Sequence, residues 1–477
     1  MANRMGTDLT EGSIVKHLIT FSVPLLLGNV FQALYNTVDS IWVGQFLGPE
    51  ALGAVSVSFP ITFILISLVT GITMATSVLV AQYAGAKDPE MITKTMNNSL
   101  LLLGTVAVIV TSLGIAFSKQ ILILLNTPQD VLSFAVEYLN IYLLGLVFVF
   151  GFNVMSAVLN GLGDPRTPVK FLIIATITNI ILDPFFIFGI GFFPKMGIAG
   201  AALATIISQA LALTLIMRHL YKINHIISPR IRDFKFVGEL IWKLIKIGLP
   251  AGIQQIVVSM GLTIMVGIIN SFGSSAVAAF GAASRLDQFA HMPAMSFGLA
   301  VSAITGQSLG AKKPERVKDV FKWGSILVSG ITFIMVILAL TVPKAFLKIF
   351  TSDADVLSIG SGYLRIVGLS YIPFSLMFVS NGILRGAGDT FPTMVFSFVS
   401  LWLIRIPLAR YLSSIESLGV NGIWIAISSS SIISMALSQT YYKIGWWKNK
   451  KLVVRKAQSA EPRPDDSVEV IDKRHPS

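Results

Sequence analysis

Long apolar runs recur along this chain, and they constrain its fold more than any other feature. Each is long enough to cross a bilayer core of about 30 Å, which takes about 20 residues of helix. An open strand cannot satisfy its backbone groups in lipid, so runs of this length must be helices. The sequence therefore predicts an all-α integral membrane protein with twelve transmembrane helices, near residues 15–45, 52–76, 97–118, 132–157, 168–190, 198–219, 244–271, 276–302, 321–342, 356–381, 392–412 and 420–442.

The composition excludes the other broad classes. Hydrophobic residues make up 54% and charged residues 13% of the 477 residues. The mean hydropathy is +0.76. Such a chain has too little polar surface for several soluble domains, and its long apolar runs are unlike a disordered chain or a porin-type barrel. Cysteine is absent, which excludes disulfides and thiolate metal sites.

The net charge of +12 reflects membrane topology. With twelve spans, the loops and tails on the side of the two termini hold 28 Lys and Arg, and the loops on the opposite side hold five. The positive-inside rule then places both termini in the cytoplasm. Because the basic residues lie in loops and the tail, and no basic face with base-reading groups is visible, we expect no nucleic-acid partner.

The two halves of the chain repeat. Gln82-Tyr-Ala-Gly-Ala-Lys-Asp-Pro-Glu90 matches Gln307-Ser-Leu-Gly-Ala-Lys-Lys-Pro-Glu315 at a displacement of 225, and Gly161-Leu-Gly-Asp matches Gly386-Ala-Gly-Asp at the same displacement. These matches lie in polar loops, where chance similarity between apolar segments does not produce them. They predict two pseudo-symmetric six-helix bundles able to rock about a central cleft.

This repeat sets the expected domain boundaries. We predict an amino-terminal lobe over residues 1–221, a cytoplasmic linker over 222–243 and a carboxyl-terminal lobe over 244–445. Residues 446–477 mix both charge signs with Pro and Ser and are predicted to be a disordered cytoplasmic tail.

Two acids stand out among those in the predicted spans, where a charge costs on the order of 2.5 to 3.5 kcal/mol and so suggests a function. Asp39 is in the first span and Asp183 in the fifth. At 1.5 Å per residue both lie about 12 to 14 Å below the outer helix ends, and Thr205 of the sixth span reaches a similar depth. Asn179 shares the face of Asp183 at i, i+4.

These groups are candidates for ion coupling. Oxygen ligands suit a hard cation such as Na⁺, and two carboxyl groups at close range can share a proton; the sequence does not separate these uses. The alternative is a purely structural role, in which the acids only form hydrogen bonds with neighbouring polar groups. Three further polar side chains of the first span and two residues of the fourth span are candidates to bind substrate: Gln32, Tyr35, Asn36, Asn153 and Met155.

The carboxyl-terminal lobe is equipped differently. Asp39 corresponds to Met265, so the repeat lacks this acid. The eighth span carries Arg285, Asp287 and His291, with the last two at i, i+4. They form either a secondary proton or cation site or a buried ion pair that locks helices, and we favour the lock. A metal site is not expected, because catalytic zinc usually has three protein ligands.

No motif of an enzyme is present: the chain lacks a phosphate-binding loop with its Lys, an HExxH helix and a GxSxG turn. We therefore expect neither catalysis nor a cofactor. Energy for transport would come from a gradient of H⁺ or Na⁺.

Taken together, these segments resemble the multidrug and toxic compound extrusion family, in particular its bacterial DinF-like branch. The resemblance covers about residues 10–445 and rests on the segment ending in Asp39, Asn179-Ile-Ile-Leu-Asp-Pro184, Gly197-Ile-Ala-Gly-Ala-Ala-Leu-Ala-Thr205 and the Gly-Ala-Lys turns. It implies a V of two lobes in the bacterial cytoplasmic membrane. It also implies coupling at Asp39, Asn179, Asp183 and Thr205, with Gln32, Tyr35 and Asn153 lining the cavity. One departure is that Gln254 and Gln255 stand where some members carry an acid.

The function so predicted is a secondary active multidrug efflux antiporter that exports organic cations or drugs in exchange for H⁺ or Na⁺ by alternating access. We expect drug-like substrates and membrane lipids as partners, and a monomer. The alternative is a flippase for lipid-linked precursors, which would offer several Arg or Lys to anionic headgroups. A passive channel would need a continuous polar file, whereas the polar residues here cluster at one depth.

Overall fold

The computed structural model describes residues 6–191, 193–223, 225, 227–228, 234–450 and 452. Regular structure throughout these residues is helical. The elements are α1 (Ile14–Phe46), α2 (Pro49–Gly85), α3 (Pro89–Leu124), α4 (Gln129–Leu144), α5 (Leu146–Gly161), α6 (Arg166–Phe188), α7 (Ile198–Lys222), α8 (Gly238–Asn270), α9 (Ser274–Gly310), α10 (Pro314–Thr341), α11 (Pro343–Leu347), α12 (Ala354–Gly368), α13 (Tyr371–Gly386), α14 (Thr390–Phe398), a π-helical segment (Val399–Arg405), α15 (Ile406–Ser413), α16 (Val420–Ile444) and a 3₁₀ turn (Trp446–Asn449).

These helices form twelve spans. Within the described residues, nine continuous stretches are long and apolar enough to cross a membrane, and two bent pairs bring the number to eleven. The twelfth is α9, which is 37 residues long but carries Arg285, Asp287 and many small residues. The all-helical, twelve-span architecture predicted from the apolar runs is confirmed.

The fourth and tenth spans are bent at equivalent places. The axes of α4 and α5 meet at 46°, and those of α12 and α13 at 44°. Gly145 provides the first break, and a Cβ there would lie 2.3 Å from Ile206 of α7. The absence of a side chain at this break therefore lets α7 approach closely. The apolar runs at 132–157 and 356–381 gave no sign of either bend, because bending leaves hydropathy unchanged.

The helices extend beyond the predicted spans. The run at 97–118 becomes α3, Pro89–Leu124, since a hydropathy window covers only the bilayer core while the helix continues into the polar layer. Helix α8 likewise begins at Gly238, inside the segment predicted as a linker. In the predicted tail, Trp447 is 1% exposed and packs on the carboxyl-terminal lobe. Most of that tail, from residue 453 onward, lies outside the described residues.

The first helix of each lobe begins in the other lobe. Leu18 and Phe21 of α1 belong to the core of the carboxyl-terminal lobe. Leu244 and Ile247 of α8 belong to the core of the amino-terminal lobe. Farther along, α1 packs on α6 and α8 packs on α14. The lobes are thus joined by two reciprocal crossings of buried apolar side chains.

A glycine contact brings the lobes together along α2 and α8. Gly248 and Gly252 of α8 form a GxxxG pattern, and Gly71 of α2 faces it. A Cβ on Gly71 would lie 2.3 Å from the carbonyl oxygen of Gly248. Small residues at such crossings let helix backbones touch, which is a main source of helix association in lipid.

Candidate ion and cargo site

A buried carboxylate and amide form the centre of the candidate site in α6. Asp183 and Asn179 are both 0% exposed. The Asn179 Nδ2 donates a hydrogen bond to Asp183 Oδ1 at 3.1 Å, as their i, i+4 spacing predicts. Among the described residues, no hydrogen-bond partner reaches Asp183 Oδ2 or Asn179 Oδ1, although both atoms are buried.

Helix α1 supplies a second acid to the same region. Asp39 lies within electrostatic range of Asp183, and its Oδ1 is also buried with no hydrogen-bond partner in the described part of the chain. Nearby, the Tyr35 hydroxyl donates to Thr205 Oγ1 at 2.9 Å, which ties α1 to α7. The structure therefore brings Asp39, Asp183 and Thr205 into one part of the amino-terminal lobe.

Two further residues belong to this region and were not singled out from the sequence. Tyr138 of α4 lies within electrostatic range of both Asp39 and Asp183. Ser208 lies one turn beyond Thr205 in α7, 1% exposed, and its hydroxyl has no partner among the described residues. Tyr138 corresponds to Tyr363 of the other lobe at the displacement of 225. Tyr363 donates a hydrogen bond to a buried carboxylate, Asp287, so the repeat is the sequence signal that could have found Tyr138.

The chemistry of this region suits a small cation. A buried carboxylate is costly unless it is paired, hydrogen-bonded or protonated. Here, two acids lie within electrostatic range of each other, and carboxylate and amide oxygens beside them have no donor in the described structure. Such oxygens can hold either a shared proton or a hard monovalent cation. Within the described residues, no group of three or more His, Cys, Asp or Glu forms a metal site.

A cavity of about 270 Å³ lies between α1, α5, α6 and α7 of the amino-terminal lobe. Gln32 and Asn153, which the sequence predicts to bind substrate, both line this cavity. Its other polar lining residues are Asn29, Ser156, Asn160 and Gln209. Asp39 lies seven residues beyond Gln32 on α1, which is about 10 Å along the helix axis. The described cavity wall thus consists of carboxamides, one hydroxyl and apolar groups, none of them charged, and both acids lie farther along their helices.

A second cavity, of about 160 Å³, lies between the lobes. Thr73 and Ser77 of α2 line one side, and Leu299 and Ser302 of α9 line the other. Asn153, Ser156 and Asn160 line both cavities. This polar face of α5 thus connects the cleft between the lobes with the cavity inside the amino-terminal lobe.

Met155 does not line either of these cavities. It is 0% exposed in the core of the amino-terminal lobe. The polar face of α5 runs through residues 153, 156 and 160, at i, i+3 and i+7, so residue 155 points away from it. We therefore correct its assignment from substrate contact to core packing. Asn36, also predicted to contact substrate, is exposed and accepts a hydrogen bond from Gln32 at 3.4 Å.

The carboxyl-terminal lobe fills the equivalent of the larger cavity with its own side chains. The repeat places Gln254 where the cavity has Gly28, and Arg385 where it has Asn160. Arg385 donates to Gln254 Oε1 at 3.2 Å. Gln254 in turn donates to the carbonyl of Thr393 at 3.1 Å and to Ser397 Oγ at 2.7 Å. Two long side chains therefore occupy the space that is open in the first lobe.

The secondary candidate residues separate into different environments. Asp287 accepts hydrogen bonds from Tyr363 and, at 2.6 Å, from Tyr371, and so ties α9 to α12 and α13. His291 stacks on Phe374 with ring centroids 3.9 Å apart. Arg285 is exposed. Arg405, within electrostatic range of Asp287, donates to Ser430 Oγ at 2.6 Å. This arrangement agrees with a helix tie, although its acceptor is paired with tyrosines rather than with Arg285.

Comparison with known proteins gives consistent matches over the whole fold. The MatE family model matches twice, over residues 24–185 and 250–411. The two matches are 226 residues apart, within one residue of the displacement of 225 found in the polar loops. The chain is 34% identical to the probable multidrug resistance protein YpnP of Bacillus subtilis, over 94% of this chain and 99% of that protein. It is 33% identical to the probable multidrug resistance protein YoeA of the same species, over 94% and 97%. A crystal structure of MATE in the straight conformation superposes with a TM-score of 0.85 at 24% identity, over 92% of this chain and 97% of that one.

Proposed function

The chain belongs to the MatE family, and from this premise we propose that it is a secondary active multidrug efflux antiporter. It exports organic cations or other drug-like molecules in exchange for H⁺ or Na⁺. Its relatives YpnP and YoeA carry the name of probable multidrug resistance proteins, which supports multidrug efflux. The coupling ion and the cargo are inferred from the site.

One observation carries the proposal. Asp39 and Asp183 lie within electrostatic range in the amino-terminal lobe, and three of the buried oxygens of Asp39, Asn179 and Asp183 have no hydrogen-bond donor in the described structure. A stable core rarely leaves such atoms unpaired. Oxygens that exchange a proton or a Na⁺ during each cycle must, in contrast, remain available to it.

The geometry supports an exchange mechanism. When both acids are ionised, they attract a cationic cargo from the neighbouring cavity. When a proton or Na⁺ binds between them, their charge is neutralised and that attraction is lost. The polar face of α5 joins this cavity to the cleft between the lobes, so that cargo can leave as the lobes rock. Alternating occupancy of one acidic centre thus couples ion entry to cargo exit.

The lining of the larger cavity bears on the cargo. Carboxamides of Asn29, Gln32, Asn153, Asn160 and Gln209 offer donors and acceptors without charge. This suits varied molecules with a polar edge. In the described structure no Arg or Lys lines this cavity, so it offers nothing to the anionic headgroup that a lipid-precursor flippase would bind.

We also propose the orientation from the charge distribution. The side that holds both termini carries 28 of the Lys and Arg, and so faces the cytoplasm of a bacterial cell. Cargo then enters from the cytoplasm and leaves at the end of the bundle near Gly48 and Gly273, where α1 meets α2 and α8 meets α9.

The test is transport by the purified protein in proteoliposomes. An inward-directed ion gradient should drive ethidium export by the native chain. Asp39→Asn should abolish it, because an amide has no proton to exchange at neutral pH and no negative charge to attract a cation. Asp319→Asn is the matched control, since it removes an exposed acid from α10. Separate H⁺ and Na⁺ gradients, with a protonophore in one arm, identify the ion.

Full export by Asp39→Asn under both gradients would refute the proposed coupling site. Export that needs no gradient in the native chain would refute antiport. Equal elution of the variants in size-exclusion chromatography establishes that any loss is not a failure to fold.

A further inference from the structure

Two buried glutamines join the lobes at the end of the bundle that holds both termini, here called the terminal face. Gln82 of α2 donates from Nε2 to the carbonyl oxygen of Gly386 at 2.9 Å. Gln307 of α9 donates from Nε2 to the carbonyl oxygen of Gly161 at 3.0 Å. Each donor and each acceptor is 225 residues from its counterpart. The pair is therefore a reciprocal clamp, in which each lobe holds the other.

Glycines allow the two halves of this clamp to meet. A Cβ on Gly85 would lie 1.9 Å from the carbonyl oxygen of Gln307, and a Cβ on Gly310 would lie 1.9 Å from that of Gln82. These two positions are also 225 apart. Gln82 is 3% and Gln307 is 2% exposed. The backbones of α2 and α9 thus touch at the terminal face in a buried contact that closes the cleft on this side.

The chain before α1 lies across this contact. Residues 6–12, here called the strap, bond to the first lobe through Thr7, whose amide donates to the carbonyl of Leu162 at 3.0 Å. The amide of Leu9 donates to Oε1 of Gln307 at 2.9 Å. Leu9 itself is 2% exposed in the core of the carboxyl-terminal lobe. One carboxamide, that of Gln307, therefore holds both the strap and the opposite lobe.

A partly exposed cation of α10 binds the backbone of the strap. Arg316 of α10 donates hydrogen bonds to three strap carbonyls: those of Leu9 at 3.2 Å, Glu11 at 3.0 Å and Gly12 at 3.0 Å. Lys313 donates to the carbonyl of Thr10 at 3.3 Å. The strap is thus fixed to both lobes.

We propose that the glutamine clamp is the latch that closes the terminal face, and that the strap is a bolt which holds the latch shut through Gln307. For this face to open, both Gln–Gly bonds must break together and the strap must leave Gln307. The clamp is symmetric, but the bolt is not, since Gln307 bonds to the strap while Gln82 has no such bond among the described residues. Loss of Gln307 must therefore open the face more than loss of Gln82.

The latch and the bolt set the balance between open and closed states of the terminal face, so their effect can be measured without cargo. The chain has no cysteine, and Ser77 lines the cavity between the lobes. In Ser77→Cys, the rate of reaction with a fluorescent maleimide in detergent reports how often the cleft opens. Gln82→Ala, Gln307→Ala and Arg316→Ala are each added to this background. Lys318→Ala is the matched control, because it removes an exposed cation from the same helix as Arg316.

One hydrogen bond of this kind changes an equilibrium by about two- to tenfold. We expect Gln82→Ala to speed labelling by such a factor and Gln307→Ala to exceed it by a further several-fold. Arg316→Ala should also speed labelling, while Lys318→Ala leaves the rate unchanged. Rates for both glutamine variants equal to that of the parent would overturn the latch. Equal rates for Gln307→Ala and Gln82→Ala, or for Arg316→Ala and Lys318→Ala, would overturn the bolt.

The partly exposed position of Arg316 allows this test even if a buried glutamine variant does not fold. Labelling of the Ser77→Cys protein in urea gives the rate for a fully accessible thiol. A variant that labels at this rate without urea is unfolded, whereas a variant that labels faster than the parent but more slowly than this rate is folded and opens more often. Because no cargo or ion gradient is present, the outcome is independent of the proposed antiport.

Discussion

Gly71 offers the sharpest test of how the lobes are joined. In Gly71→Ala, the new Cβ would lie 2.3 Å from the carbonyl oxygen of Gly248 and 2.7 Å from the amide nitrogen of Gly252. Both neighbours are backbone atoms of a helix and cannot rotate away. The crossing of α2 and α8 must therefore widen, and the contacts on either side of it are lost.

The magnitude follows from that geometry. Forcing one carbon into a close-packed contact costs about 1–3 kcal/mol. Gly104→Ala in α3 is the control, because a Cβ there would meet nothing within 4 Å. It should stabilise by about 0.5–1 kcal/mol, as Ala favours a helix over Gly. Gly71 also lies inside a helix and gains the same amount, so the two variants should differ by about 1–3 kcal/mol in the free energy of unfolding.

The assay is unfolding of the purified protein in mixed micelles by increasing mole fraction of SDS, followed by tryptophan fluorescence. Gly71→Ala should unfold at a lower SDS fraction than the native chain, and Gly104→Ala at an equal or higher one. Equal midpoints for the two variants would show that the GxxxG contact of α8 with α2 contributes nothing to the stability of the pair of lobes.

Three further outcomes are expected. Met155→Ala should lower the free energy of unfolding by about 2–5 kcal/mol, as for a buried core side chain, while the range of exported drugs stays the same. A changed range of drugs would show that Met155 contacts substrate after all. Gly28→Gln, which copies Gln254 of the other lobe, should reduce export of large cations more than of small ones in proteoliposomes, and an equal reduction for all sizes would contradict a cavity-filling effect. Burial lowers the pKa of His225, so the unfolded chain takes up a proton at a higher pH than the folded chain does. The free energy of unfolding should therefore fall as the pH drops below about 6.5. His225→Gln should reduce this fall in SDS unfolding measured against pH, and an unchanged pH dependence would show that another group causes it.

Much of the fold could be predicted because lipid leaves few alternatives. An apolar run of about 20 residues must be a helix, and a repeat with six helices must give two parallel bundles. The sequence could not show that Leu18 of α1 packs in the carboxyl-terminal lobe and Leu244 of α8 in the amino-terminal lobe. Both are ordinary apolar residues at ordinary helical spacing, and only the three-dimensional crossing assigns them to the opposite core.

The site was predictable where charge or spacing constrained it. Asp39 and Asp183 stand out because acids are costly in a membrane, and the i, i+4 spacing gave the bond from Asn179. Tyr138 is less distinctive, since a single tyrosine in an apolar run has many uses. Met155 was misplaced because residue type alone was considered; the face through residues 153, 156 and 160 would have excluded it.

The glutamines of the terminal face show a different limit. Gln82 and Gln307 mark the repeat in the sequence, yet their bonds run to the opposite half of the chain. A repeat reveals which residues are equivalent. It does not reveal whether equivalent residues bond within a lobe or across the axis that relates the lobes.

The guanidinium of Arg385, seated on Gln254 in the second lobe, has a consequence for how resistance to new drugs can arise. A duplicated gene half supplies two chambers of common ancestry, but here one of them is already filled from within. Substitutions that shorten Arg385 would reopen the second chamber. Substitutions elsewhere in its wall would leave Arg385 in place and so would not open it to cargo. Directed evolution of this chain toward bulkier compounds should therefore collect its early mutations in the first lobe, or at position 385 itself.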